Sequence, residues 1–273
     1  MEQRQIAFIG AGNMAKAIIA GFVGNGYPAT QITATAPTDR HLLPLANNYG
    51  IRTSHDNHQT VQQADVVVLA VKPQLMADVC RHFHDIDLSQ KLVISIAAGI
   101  SCQRLSEMLN APDLNLIRVM PNTPSLINQG MSGLFATTSV TETDRAFTTA
   151  LFQSVGEVCW VSDESQINGI IAAAGSAPAY FFLFMEAMQK EAIAQGFDTE
   201  TARLLVQQSA VGAAAMVQAN PDTDLATLRE QVTSKGGTTA EAIRTFNEHN
   251  FPEVVAQAMQ AAVKRAEAME KQF

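Results

Sequence analysis

The chain has 273 residues, of which 47% are hydrophobic and 16% charged, enough apolar matter for a sizeable core in two domains or one large one. A net charge of −8, from 26 acidic and 18 basic residues with no basic run, excludes a surface that tracks a polyphosphate backbone, so nucleic acid is not an expected partner. Cys80, Cys102 and Cys159 are odd in number and far apart, which fits reduced thiols in a cytoplasm, and the start "MEQRQ" leaves no room for a signal peptide.

In chain order, the strand candidates are "IAFIG" (6–10), "ITATA" (32–36), "VVVLAV" (66–71), "LVISIA" (92–97), "NLIRVM" (115–120), "SGLFAT" (132–137) and "EVCWV" (157–161). Segments of helical length, such as "MAKAIIAGFVGNG", separate the early ones. Strands alternating with helices predict βαβ units and a mostly parallel, doubly wound sheet. The last two strands lack long helical crossovers of the early kind and are expected to extend the sheet in a different sense. After about residue 164 the pattern becomes helical: 166–195 with a Gly-Ser-Ala-Pro interruption, then 199–219, 224–232, 239–248 and 252–271. The expected organisation is α/β: a Rossmann-like domain over 1–164 and an all-α domain over 165–273. "QQSAVGAAAMVQA" (207–219) is rich in small residues that let helices approach closely, so a dense bundle sharing apolar faces with a second chain is expected.

Ser165 to Met185 carries no charge and is long enough to span a bilayer. Gly175, Ser176 and Pro178 interrupt it, and its flanks are acidic. The reading is a buried helix at a domain or subunit boundary, with no membrane partner.

"IAFIGAGNMAKAII" places Gly10-Ala11-Gly12-Asn13-Met14-Ala15 directly after a strand and at the start of a helix. In this G-x-G-x-x-A, Gly10 permits a tight turn, Gly12 lets backbone approach a pyrophosphate, and Ala15 lets the helix lie close to the sheet. The helix N-terminus offers unpaired N–H groups to the anion. At the end of the second strand, Thr35-Ala36-Pro37-Thr38 shows no carboxylate until Asp39, and Arg40 follows. Small hydroxyls beside an arginine suit a 2′-phosphate, so NADPH is favoured while NADH stays possible through Asp39. "LAVKPQ" (69–74), "AAGI" (97–100) and "MPNTP" (120–124) end the following strands at the edge where open sheets bind ligands. Lys72, Ala98 and Asn122 are therefore candidates for cofactor contact. Cys80-Arg81-His82-Phe83-His84 is read as a surface helix, because position 82 points away from 80 and 84; no metal is expected. His55 and His58 show no partner in the sequence.

"LREQVTSKGGTTAEAIRTF" (228–246) sets Thr233, Ser234, Thr238 and Thr239 around Gly236–Gly237. Thr238-Thr239-Ala240-Glu241 reads as a capping box with Thr238 as the N-cap and the Thr239 hydroxyl left facing outward. The stretch is either a plain capping loop or a small anion nest at a helix N-terminus, suited to a carboxylate.

Five segments together resemble the pyrroline-5-carboxylate reductases: "FIGAGNMAKAIIAG" (8–21), "LAVKPQ" (69–74), "MPNTP" (120–124), "GSAPAYFF" (175–182) and "LREQVTSKGGTT" (228–239). The family usually has G-S-G-P-A-Y where this chain has Ala177. The resemblance implies NAD(P)H-dependent reduction of 1-pyrroline-5-carboxylate to L-proline. It also implies a homodimer through the helical domain, within larger assemblies such as a decamer. It assigns cofactor contacts to Gly10, Gly12, Asn13 and Met14, to Thr35, Ala36 and Pro37, to Asn57, and to Ala70, Val71, Lys72 and Pro73. It assigns substrate contacts to Thr233, Ser234, Gly236, Gly237, Thr238 and Thr239, and places the threonine of its G-G-x-T motif on Thr239, the expected catalytic hydroxyl. Two other readings share the first-domain pattern. A hydroxy-acid dehydrogenase would carry a lysine on the long helix after it, and Ser165 to Met185 has none. A non-catalytic NADP(H) sensor would need no hydroxyl at Thr239.

Overall fold

The computed structural model describes residues 3–272. β1 (Ile6–Ile9) is apolar throughout and buried on both faces, as a central parallel strand must be. Its side chains alternate: Ile6 and Phe8 enter one apolar layer, Ala7 and Ile9 the other. α1 (Asn13–Gly24) packs Ile18, Ile19 and Phe22 into the first layer. There follow β2 (Ile32–Thr35), α2 (Asp39–Tyr49), β3 (Arg52–Ser54), α3 (Asn57–Gln63), β4 (Val66–Leu69), α4 (Pro73–Arg81), β5 (Leu92–Ser95), α5 (Cys102–Leu109) and β6 (Leu116–Met120). α4 and α5 supply Met76, Cys80 and Leu105 to the second layer.

The strands lie in the order β3-β2-β1-β4-β5-β6, all parallel, and the order reverses between β1 and β4. This is the doubly wound topology expected from the sequence, with one strand more: β3 is three residues long, polar, and sits at the sheet edge, where no apolar run is needed.

A 3₁₀ turn (Thr123–Ile127) leads to β7 (Gly130–Ala136), which pairs antiparallel with β6. α6 (Glu142–Gln153) then carries the chain to β8 (Gly156–Trp160), which pairs parallel with β7. The change of sense at β7 agrees with the sequence reading; the absence of a crossover helix before β8 does not. α6 is a full helix, capped by the Thr141 hydroxyl accepting from Asp144 N, and it buries Phe147, Leu151 and Phe152.

After β8 come α7 (Gln166–Ile170), a π turn (Ile171–Gly175), α8 (Ala177–Ala194), α9 (Thr199–Ala219), α10 (Leu225–Gln231), α11 (Thr238–Glu248) and α12 (Phe251–Gln272). The chain forms two units: one runs to Pro178 and resumes at Ala261, the other is Ala179–Gln260.

The first unit secures its returning C-terminal segment with a buried cation. The Arg118 side chain on β6 has no solvent exposure; Nη1 lies 2.9 Å from Glu164 Oε1, and Nη2 forms a 2.8 Å ion pair with Glu270 Oε1. Cys102 N donates to the same Glu164 oxygen and Asn168 Nδ2 to Glu270 Oε2. The π turn has a local cause. Pro178 has no N–H for the Ala174 carbonyl four residues back, and Asn122 Nδ2 donates to that carbonyl instead, at 3.1 Å.

The second unit buries only Ala202 and Val206 among its large and small apolar side chains. Phe184, Phe246 and Phe251 form an aromatic triangle with centroids 5.5–6.2 Å apart, yet Phe184 remains 40% exposed. Phe181, Phe182 and Leu183 are each more than 60% exposed. The single chain thus leaves these apolar faces open, and the expected bundle and buried helix are those of a unit that shares its faces with a second chain: small residues permit close packing but cannot by themselves enclose a core. The run Gln166–Ala194 is long and apolar enough to cross a membrane by length and composition.

Candidate active site

Gly10 sits where the order of strands reverses. Its φ of +106° is open to glycine, and its N–H donates to Thr35 O at 3.1 Å. A Cβ there would lie 2.6 Å from the Ala70 carbonyl oxygen across the gap between β1 and β4. Gly10→Ala is expected to destabilise the fold by about 2–3 kcal/mol and to abolish binding of a nicotinamide dinucleotide, as urea unfolding and calorimetry would read. A variant with native stability and affinity would mean that the turn is not required.

Gly12 is the N-cap of α1, and its side supplies no hydrogen bond to the helix. A Cβ on Gly12 would meet no atom within 4 Å. The space beside Gly12 at the α1 N-terminus is therefore open, with Asn13 exposed and Met14 half-buried next to it. This is a fit for a dinucleotide pyrophosphate. Ala70, Val71 and Lys72 follow β4 on the same edge, and Pro73 opens α4 with Lys72 as N-cap. Ala98 lies in the turn after β5.

Thr35 is buried and its hydroxyl donates to Phe8 O; Ala36 is buried and Pro37 exposed. Asn57 opens α3, whose N-cap Asp56 accepts from Gln59 N. Asn122 is only 7% exposed, and both ends of its amide are engaged: Oδ1 accepts from Met131 N while Nδ2 serves Ala174 O. That gives it a structural task at the sheet edge which the sequence did not show.

His55 is the residue sequence reasoning passed over. From the link between β3 and α3 it reaches the Ala36 carbonyl with Nδ1 (2.8 Å) and Asp39 Oδ1 with Nε2 (3.0 Å). Its pKa is raised, chiefly by the Ala36 carbonyl and then by Asp39, against a lowering from desolvation. His58 bonds Asp85. Of the Cys-x-His-x-His run, Cys80 is in the core rather than on a surface face, its thiol pushed up to about 12 by burial, and His84 Nε2 contacts Met108 O.

In the second unit, the Thr233–Thr239 corner departs from the capping box in its details. Gly237, not Thr238, is the N-cap of α11, and Thr238 and Thr239 are the first two helical residues. Gly237 N donates to Ser234 O at 3.0 Å, which draws the chain into the helix one residue early and removes that N–H from any nest. Glu241 pairs with Arg244 instead of bonding back. The first bond of α11 is Glu241 N to Gly237 O, so the Thr238, Thr239 and Ala240 amides have no helical acceptor. The Thr233 hydroxyl donates to Arg229 O. Among the described residues, the hydroxyls of Ser234, Thr238 and Thr239 have no hydrogen-bond partner, and all three residues are exposed, as is Gly236, with φ +74°.

The glycine turn, the uncapped α1 terminus and the strand reversal define a dinucleotide-binding α/β protein of the Rossmann type. A family model described as pyrroline-5-carboxylate reductase dimerisation matches residues 164–269, and the pyrroline-5-carboxylate reductase of Vibrio alginolyticus is 68% identical over 273 residues, 100% of each chain. The chain belongs to the pyrroline-5-carboxylate reductase family. A second model, described as NADP oxidoreductase, coenzyme F420-dependent, matches residues 5–99. Among solved structures, a pyrroline-5-carboxylate reductase from Coxiella burnetii is 41% identical with a TM-score of 0.92, covering 98% of this chain and 99% of its own. The Plasmodium falciparum pyrroline carboxylate reductase with NADP bound is 28% identical with a TM-score of 0.89, covering 99% of each.

Proposed function

We propose that the chain reduces the C=N bond of 1-pyrroline-5-carboxylate to give L-proline, with NADPH as the favoured hydride donor. The full-length 68% identity to a named reductase carries this reading. The open glycine turn at the sheet's switch point and the uncapped α11 corner support it. The match of 164–269 to a dimerisation model assigns oligomerisation to the helical part of the chain. A homodimer there, with larger assemblies such as a decamer, and a cytoplasmic setting complete the proposal.

When bound, the reduced nicotinamide supplies a hydride; the chain's own residues bind and orient. For the dinucleotide we assign the Gly10–Met14 turn, the Thr35–Pro37 corner, Asn57, Ala70–Pro73, Ala98 and the Asn122 loop. For the substrate carboxylate we assign the free amides of Thr238–Ala240 and the hydroxyls of Ser234 and Thr238, with Gly236 and Gly237 shaping the corner; the expected Thr233 hydroxyl is withdrawn, because its one proton is held by Arg229 O. Thr239 Oγ1 accepts a hydrogen bond from the ring nitrogen. The imine arrives protonated, so hydride addition at its carbon leaves a neutral amine and needs no acid from the protein. Positioning alone supplies roughly 7–11 kcal/mol of barrier reduction in such reactions.

The test is the oxidation of NADPH and of NADH by 1-pyrroline-5-carboxylate, measured side by side. NADPH is expected to be the better donor. No oxidation of either would remove the proposed reaction.

A further inference from the structure

The charged pair beside the end of β2 deepens the proposed function, and rests on its dinucleotide assignment. Both atoms facing the His55 ring, the Ala36 carbonyl oxygen and Asp39 Oδ1, are acceptors, at 2.8 and 3.0 Å. A neutral imidazole carries one N–H and satisfies one of them; both contacts are hydrogen bonds only when the ring is doubly protonated. The arrangement therefore selects the imidazolium.

The pair lies where a doubly wound fold reads the adenosine ribose. A carboxylate past the second strand accepts from a 2′-hydroxyl, whereas a cation accommodates a 2′-phosphate. Here the carboxylate that would favour NAD is covered by a cation that can lose its charge. We propose that Asp39 and His55 form a protonation-controlled selector between the two dinucleotides. With His55 protonated, Asp39 is neutralised and the corner accepts the 2′-phosphate. With His55 neutral, Asp39 stands bare, repels the phosphate and accepts from the 2′-hydroxyl.

The other charged and titratable groups on the surrounding elements are Arg40 and His41 on α2, Arg52 on β3, and Asp56 and His58 on α3. Asp56 is engaged as the α3 cap and His58 pairs with Asp85. Arginines and carboxylates do not ordinarily titrate between about pH 7 and about pH 9, which leaves a histidine as the source of any step there. His55 has the raised pKa, so the paired form holds below that value and is lost as pH rises through it. The side chains of the pair are 55% and 65% exposed, so the effect is modest and weakens with salt.

The experiment measures dissociation constants of NADP⁺ and NAD⁺ on the full chain by calorimetry at low salt, from about pH 7 to about pH 9, where the 2′-phosphate is already mostly dianionic. The ratio of the NADP⁺ to the NAD⁺ constant is expected to rise about threefold across this range. His55→Gln should flatten the ratio and raise it at the lower pH. Asp39→Asn should lower it, most at the higher pH, where the native carboxylate would stand bare. Within this range, NADP⁺ binding should take up protons in the native chain and not in His55→Gln. An equal slope in His55→Gln, or a flat ratio in the native chain, overturns the selector. Turnover of 1-pyrroline-5-carboxylate is a separate reading: an active enzyme with a flat ratio loses only the selector. A pH-dependent ratio in a chain that reduces no imine loses only the reaction.

Discussion

Thr239→Val is expected to lower kcat/KM for 1-pyrroline-5-carboxylate by about tenfold to a hundredfold while NADPH affinity stays near its native value. The two side chains are nearly the same shape, so the substitution removes one hydroxyl and little else. Thr239 is an exposed residue in the first turn of α11 and, among the described residues, its hydroxyl has no protein partner that the change would orphan. The expected loss is that of one hydrogen bond to a charged group, about 1.5–3 kcal/mol, which gives the stated factor. The helix itself should tolerate valine, whose propensity is close to that of threonine. Steady-state kinetics with a circular-dichroism melt would check both halves. Native turnover in a folded variant would take the hydroxyl out of the reaction.

The second large effect lies far along the chain. Arg118→Met is expected to cost about 3 kcal/mol of unfolding free energy, the lower end for breaking a buried ion pair. The Arg118 side chain has no exposure, whereas those of Glu164 and Glu270 keep 26% and 24%. Removing the cation leaves two carboxylates facing each other, but water can still reach both. Adding Glu164→Gln and Glu270→Gln should recover part of the loss, because neutral amides no longer repel. Urea midpoints of the single and triple variants make the comparison. A single variant as stable as the native chain would show that the triad does not hold the C-terminal segment.

Much of this architecture was legible because it follows from short-range rules. The continuous apolar runs of β1, β4 and β5 announce strands buried on both faces, and the Gly10–Ala15 spacing announces the turn between β1 and α1. β3 was missed because an edge strand of Arg52, Thr53 and Ser54 needs no apolar signal. α6 did carry one: Thr141 three residues before Asp144, ahead of an apolar face, is a helix-start pattern. The corner before α11 was located correctly but its cap was not, since the choice between Gly237 and Thr238 turns on whether Ser234 O captures Gly237 N. The partners of His55, Asn122 and Arg118 are not local: Arg118 meets a carboxylate 46 residues away, a pairing only the fold reveals.

The exposed apolar residues of α8 have a consequence for the molecule outside the test tube of a single chain. Phe181, Phe182 and Leu183 are exposed on the single chain and only two apolar side chains of the second unit are buried, so in the homodimer proposed above that unit would draw its stability from the partner. Durability would then follow mass action, rising with abundance and falling on dilution, so that the level of expression would itself set how long each copy survives.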